Sequence, residues 1–141
     1  MSAAPLPNFD QPDLARVVEA LPVRALDDLS FGAIRLDAEG VVRIYSGAER
    51  RLSGSGNRPR LGLHFFREVA PCMDSPRYRG RIERAMATGS LDVEFGWIGD
   101  FGDAERSLRV RVQSAMGGGC WIFMQREGAK AQPAPDMLGL R

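Results

Sequence analysis

The chain has 141 residues, enough for one domain that builds its own hydrophobic core. Its 19 basic and 18 acidic residues nearly cancel, so its charge gives no reason to expect nucleic acid or an anionic membrane as a partner. No stretch reaches the roughly 20 apolar residues that span a bilayer, and the amino terminus lacks the pattern of a secretory signal. These features predict a cytoplasmic protein whose two cysteines stay reduced.

The first predicted element is a short amphipathic helix that Pro22 ends. Its apolar positions follow the i, i+3, i+4, i+7 pattern and are Leu14, Val17, Val18 and Leu21. An isolated helix of this length is marginal in water, so we expect it to dock on the rest of the chain and to detach first.

A β-hairpin follows, because residues 31–37 and 41–45 are apolar runs that flank a turn ending at Gly40. Ser46 and Glu49 then have the S-x-x-E spacing of a capping box, which predicts a short helix reaching about Leu52. Taken alone, Glu49 fits an exposed capping acid better than a buried functional group, and only its combination with Tyr45 and Cys72 reverses that preference.

Cys72 is the candidate reactive group in the irregular apolar segment that comes next. Ser75 and Pro76 have the character of an N-cap and a first helical position, and predict a helix to about residue 88. A thiol near the positive end of a helix dipole is favoured as a thiolate, which is the better nucleophile. The alternatives are a buried apolar cysteine and a Cys-His pair with His64, although no group that would orient such a base accompanies it.

Three further strands are predicted at residues 91–98, 107–113 and 120–125, with glycines at 117–119 in the last turn. In the middle strand, apolar residues alternate with Arg109, Arg111 and Gln113, which predicts a side open to solvent. The element order predicts an α+β fold with a five-stranded antiparallel sheet, a helical connector on one face and an N-terminal helical cap.

Several of these residues together resemble the photoactive yellow protein family, blue-light receptors with a PAS fold. The matching positions are Phe31 to Ile34, Tyr45, Glu49, Phe65 to Pro76 and Cys120 to Phe123. The Ala-Pro-Cys-x-Asp-Ser-Pro segment at 70–76 is specific, because generic PAS domains do not carry it. We therefore expect an N-terminal cap region at 1–26, a PAS photosensory core at 27–127 and a flexible tail at 128–141.

The resemblance implies a chromophore site. Cys72 would hold p-coumaric (4-hydroxycinnamic) acid as a thioester, while Tyr45 and Glu49 hydrogen-bond its phenolate oxygen. Ser53 takes the place of a threonine that supports the tyrosine. The implied chromophore-binding set is completed by Phe65, Ala70 and Phe101.

The resemblance also implies a photocycle and not an enzymatic reaction. Light isomerises the chromophore from trans to cis, and Glu49 passes a proton to the phenolate. A buried carboxylate without a counter-charge would then open part of the fold, beginning with the N-terminal helix.

The sequence departs from the family at three positions. Ser55 stands where an arginine covers the phenolic end of the pocket, and Gly99 and Asp103 replace an aromatic residue and a methionine associated with fast dark recovery. We therefore expect altered, slower recovery.

Two other functions fit the same residues. One is a PAS domain that binds a partner or dimerises without a chromophore, and the other is a thiol enzyme using Cys72. The expected partner is an unidentified downstream signalling protein, with a homodimer as a second arrangement, and no nucleic acid, membrane or metal is expected.

Overall fold

The computed structural model describes residues 6–53, 60–87, 91–98 and 107–126. Their five strands form one antiparallel sheet in the order β2-β1-β5-β4-β3. The strands are β1 (Gly32–Leu36), β2 (Val42–Tyr45), β3 (Asp92–Ile98), β4 (Ser107–Ser114) and β5 (Cys120–Arg126). This arrangement confirms the predicted α+β class, and the glycines at 117–119 form the last turn with positive φ angles, as predicted.

The helical segments are short. They are α1 (Leu14–Glu19), a 3-10 segment (Val23–Asp28), α2 (Gly47–Ser53), a wide π-type turn (Phe65–Val69), a 3-10 turn (Pro71–Met73), a second wide turn (Pro76–Gly80) and α3 (Arg81–Ala87). Residues 65–87 form the predicted connector. The 3-10 segment after Pro22 was not predicted; it begins where the Ala25 amide donates to the Pro22 carbonyl at 2.9 Å.

The sheet has an apolar core on each face. The connector-side core packs Phe65, Phe66, Val69 and Met73 against sheet residues Ile34, Val110, Val112 and Ile122. The cap-side core packs Phe9, Leu14 and Val18 against Phe31, Trp121 and Phe123. Alternate residues of β5 therefore serve opposite cores, because successive side chains of a strand point to opposite faces.

Two of the three polar residues of β4 are buried, so the prediction that this side faces solvent is wrong for Arg111 and Gln113, each 7% exposed. Arg111 donates from Nη1 to the carbonyls of Phe9 at 2.9 Å and Gln11 at 2.7 Å. The Gln113 side-chain oxygen Oε1 accepts from the Ala15 backbone N–H at 2.8 Å. These side chains satisfy backbone groups of the N-terminal segment, which covers them. Arg109 remains exposed, as predicted.

Hydrogen bonds to Glu19 attach the C-terminal end of α1 to the sheet. Its Oε2 accepts from Trp121 Nε1 and from the Met116 amide, both at 2.8 Å. Arg16 Nη2 donates to the Ser114 carbonyl at 2.6 Å. The prediction that the N-terminal helix docks on the rest of the chain is confirmed, and much of the attachment is polar.

The substitution Arg111→Met tests this attachment. It leaves buried carbonyls of the N-terminal segment without their donor, so we expect the free energy of unfolding to fall by about 2 to 4 kcal/mol. Urea denaturation measures the loss, and hydrogen exchange at the α1 amides should rise with it.

Arg43→Met is the matched control, since Arg43 lies at the sheet edge in an exposed ion pair with Asp37. Its loss should stay below about 1 kcal/mol. Equal losses in the two variants would contradict a specific role for Arg111.

Candidate functional site

Tyr45 and Glu49 lie on either side of the junction between β2 and α2, and they are 7% and 1% exposed. Ser46 shapes this junction, because its hydroxyl accepts from the Ala33 amide at 3.1 Å and from the Glu49 amide at 3.0 Å. The Ser46 amide donates to the Ala33 carbonyl at 3.0 Å. The N-cap half of the predicted capping box is therefore present, while the Glu49 carboxylate points elsewhere.

The Glu49 carboxylate binds Arg126 at the end of β5. Arg126 Nη1 donates to Oε1 and Nη2 donates to Oε2, each at 2.7 Å. The side chains of Arg126 and Glu49 are 0% and 1% exposed. The interpretation of Glu49 as an exposed capping acid is wrong, because its carboxylate is buried in a two-bond ion pair.

Sequence reasoning missed Arg126. The available signal was its register, since Arg126 follows Ile122 and Met124 at every second position of β5, and both of those belong to the connector-side core. That register puts the Arg126 side chain on the connector face. Its partner could not be identified, because Glu49 is 77 residues away in the chain.

Because Gly32 has no side chain, the Glu49 carboxylate has room beside β1. A Cβ atom at Gly32 would overlap Glu49 Oε1. A larger residue here would displace the ion pair or the strand.

The connector brings predicted site residues to the same core as Tyr45. Phe65 is fully buried in the connector-side core, and the half-buried Ala70 packs against it. The backbone of Cys72 lies in the 3-10 turn that follows, beside the buried Met73. Tyr45 and Phe65 therefore lie in one core, and Ala70 packs against it. The backbone of Cys72 precedes Met73, which also belongs to this core.

Part of the predicted site lies outside the described residues. This applies to the side chains of Cys72 and Ser53, to Phe101, and to the divergent positions Ser55, Gly99 and Asp103. The backbone of Ser53 ends α2.

Ser75 takes the predicted N-cap position, but the capping bond expected of it is absent. Its side chain makes no capping hydrogen bond, and the helix opens with a wide turn in which the Gly80 amide donates to the Ser75 carbonyl at 3.0 Å. Pro76 does occupy the first helical position, as predicted. The dipole argument for a reactive Cys72 is weaker as a result, since it assumed a regular helix start.

His64 has a structural role at the start of the first wide turn. Its Nδ1 accepts from the Arg67 amide at 3.3 Å, and its own amide donates to Glu68 Oε1 at 2.8 Å. These reciprocal bonds resemble those of a capping box. They account for the histidine without a catalytic partner.

Cys120 is a buried free cysteine on β5. Burial raises the pKa of its thiol to about 12. Because the thiolate is the reactive form of cysteine, Cys120 is a poor nucleophile at neutral pH.

Arg50 places a cation near Tyr45. Its guanidinium carbon lies 6.0 Å from the centre of the Tyr45 ring. Its Nε is buried, with no hydrogen-bond partner among the described residues. This contact places positive charge over the face of the Tyr45 ring.

The described residues give no sign of a metal centre or a membrane span. They contain no cluster of three or more His, Cys, Asp or Glu side chains that could hold a metal ion. None of the helices in the described ranges has the length and apolar character needed to cross a membrane.

Comparisons with known proteins point to one family. No protein-family profile matches the chain. The photoactive yellow protein of Rhodothalassium salexigens is 33% identical over 120 residues, a match covering 84% of this chain and 96% of that protein. The photoactive yellow protein of Halochromatium salexigens is 32% identical over the same shares.

Solved structures agree with these sequence relatives. The photoactive yellow protein domain of the sensor histidine kinase Ppr from Rhodospirillum centenum is 38% identical, with a TM-score of 0.65. That match covers 72% of this chain and 95% of the domain. A PAS domain from Colwellia psychrerythraea, 13% identical with a TM-score of 0.57, supports the PAS fold alone.

The substitution Gly32→Ala tests the placement of Glu49. The new methyl group would overlap a carboxylate that two hydrogen bonds hold in place, so we expect a loss of about 2 to 3 kcal/mol of stability in urea denaturation.

Gly96→Ala on β3 is the matched control, because its Cβ would meet nothing closer than the Leu108 carbonyl at 3.9 Å. It should change stability by less than about 1 kcal/mol. A similar loss in both variants would mean that Glu49 is not fixed against Gly32.

Alkylation tests the inertness of Cys120 in a Cys72→Ser variant. The folded variant should resist iodoacetamide at neutral pH, because burial keeps the Cys120 thiol protonated. The same variant in urea should react fully. Mass spectrometry of the two samples is the measurement, and rapid labelling of the folded variant would contradict the prediction.

Proposed function

Because this chain belongs to the photoactive yellow protein family, we propose that it is a blue-light photoreceptor carrying p-coumaric acid as a thioester on Cys72. The observation that supports this most directly is the burial of Tyr45 and Glu49 together at the β2–α2 junction. Tyr45 also shares the connector-side core with Phe65 and Ala70, next to the turn that contains Cys72. When bound, p-coumaric acid supplies blue-light absorption and a double bond that isomerises from trans to cis.

Cys72 is the proposed attachment point. Its sulfur attacks the carbonyl of an activated p-coumaroyl donor, the leaving group departs with its bonding electrons, and the thiol proton passes to solvent. Phe65 and Ala70 line the apolar side of the pocket, and Ser53 and Phe101 are proposed to complete it.

Tyr45 and Glu49 are the proposed hydrogen-bond donors at the phenolic end. For Glu49 to donate, one of its carboxyl oxygens must carry a proton. A neutral carboxyl offers one donor and keeps an acceptor, so Glu49 can donate from one oxygen while the other still accepts from Arg126. Loss of that proton restores the carboxylate that Arg126 binds in this structure.

The output is proposed to be partial opening of the fold, beginning with α1. The segment around α1 covers the face of the sheet opposite the connector, and Arg111, Gln113 and Glu19 hold it by hydrogen bonds. Its release would expose the apolar cap-side core as a surface for a partner.

The chain is proposed to signal by protein contact in the cytoplasm, without an enzymatic activity of its own. The Ppr domain belongs to a sensor histidine kinase. A separate downstream signalling protein is the proposed partner here, and a homodimer is a second arrangement. We propose residues 1–26 as cap region, 27–127 as photosensory core and 128–141 as tail.

Reconstitution tests the proposal. Purified protein incubated with an activated ester of p-coumaric acid should gain the mass of one p-coumaroyl group and a visible absorption band. Cys72→Ala should gain neither, because it lacks the attacking sulfur. Intact mass and absorption spectra are the measurements.

Cys120→Ala is the matched control and should form the adduct, since Cys120 is buried and protonated. Absence of an adduct in the folded unsubstituted protein would overturn the proposal and favour a PAS domain that works without the chromophore. An adduct on Cys120 alone would contradict the assignment of Cys72.

A further inference from the structure

We propose that Arg126 is the counter-charge of Glu49, a positioning residue that receives the Glu49 carboxylate whenever it is ionised and thereby limits how far proton loss opens the fold. This inference rests on the proposed function for its effect on signalling. The ion pair itself does not depend on a bound chromophore.

The first support is the geometry of the pair. Each nitrogen of the Arg126 fork donates to a different oxygen of Glu49, both at 2.7 Å. This two-bond arrangement is the strong form of an arginine–carboxylate contact. Arginine keeps its proton at any pH that a folded protein experiences, so the positive charge is permanent.

The second support is burial. Water reaches neither side chain to any extent, with 0% and 1% exposed, so solvent does not screen the pair. Removing one partner of such a pair leaves an uncompensated buried charge, which is strongly destabilising. Each residue therefore depends on the other.

The third support is that regular structure fixes both partners. Arg126 is the last residue of β5, whose neighbour β4 pairs with it through Leu108. Glu49 is held in the first turn of α2 by the Ser46 cap. Gly32 lies beside them and leaves room for the carboxylate. The guanidinium is thus in place before Glu49 gives up a proton.

This pair corrects one expectation from the sequence. Proton loss from Glu49 was predicted to leave a buried carboxylate without a counter-charge. The counter-charge is present and bonded to both oxygens. The electrostatic force that would open the fold is therefore smaller than the sequence suggested.

A double-mutant cycle on the protein without chromophore tests the pair. Arg126→Met should raise the equilibrium constant for unfolding by about a hundredfold or more, because Glu49 loses its partner. Adding Glu49→Gln removes the orphaned charge, so the double variant should recover most of that loss. Urea denaturation of the four proteins gives the coupling.

Arg109→Met is the matched control. Arg109 lies on the neighbouring strand and faces the cap side, where it is exposed, and its loss should change unfolding by less than about fivefold. Failure of Arg126→Met to fold while the double variant folds is the extreme form of the expected result. Equal loss in Arg126→Met and the double variant would overturn the proposal.

The chromophore-loaded protein tests the effect on signalling. Light should increase hydrogen exchange in α1 more in Arg126→Met than in the unsubstituted protein. Arg126→Lys, which keeps the charge but cannot make both bonds, should fall between the two. Equal light-induced exchange in all three would overturn the proposed limit on opening.

Different experimental results would overturn the photoreceptor function and the role of Arg126. If the unsubstituted protein forms no adduct, the photoreceptor function fails, while the cycle without chromophore still decides whether Arg126 and Glu49 depend on each other. If the adduct forms and the cycle shows no coupling, the role of Arg126 fails and the photoreceptor function stands.

Discussion

The buried ion pair between Glu49 and Arg126 constrains the connector side of the molecule. Burying two charges costs several kcal/mol per ion unless short hydrogen bonds replace the lost water. The two bonds at 2.7 Å meet that requirement only if α2 and the end of β5 are correctly placed. The small residue at Gly32 and the cap at Ser46 make this placement possible. The pair links a helix early in the chain to its last described strand.

On the opposite face of the sheet, buried polar side chains bind backbone groups. Arg111 and Gln113 are buried because the N-terminal segment needs partners for backbone carbonyls and an amide. Apolar contacts through Phe9 and Leu14 accompany these bonds. Polar contacts require good geometry, so a small displacement of β4 weakens them more steeply than it weakens apolar packing. Because β4 also carries Val110 and Val112 in the connector-side core, one strand contacts both that core and the N-terminal segment.

The sequence predicted the features that depend on local chemistry. Strand alternation, the glycine turn at 117–119 and the Ser46 cap each arise within a few residues, and the structure contains all of them. The partner of Glu49 and the burial of Arg111 could not be predicted, because those contacts join residues 77 and about 100 positions apart. The side-chain bond of the Ser75 cap is absent for a related reason. A local motif predicts a regular helix, but here the helix opens with a wide turn.

This chain differs from the family pattern in the positions of its positive charges. The family pattern that this sequence resembles has an arginine at the position of Ser55. Here Arg50 lies over Tyr45 from α2, and Arg126 binds Glu49 from β5. Both cations belong to regular elements, whose backbone is restrained more strongly than that of a loop. A charge supplied by β5 stays in place as long as the sheet does, so the Glu49 carboxylate keeps its partner while the sheet is intact.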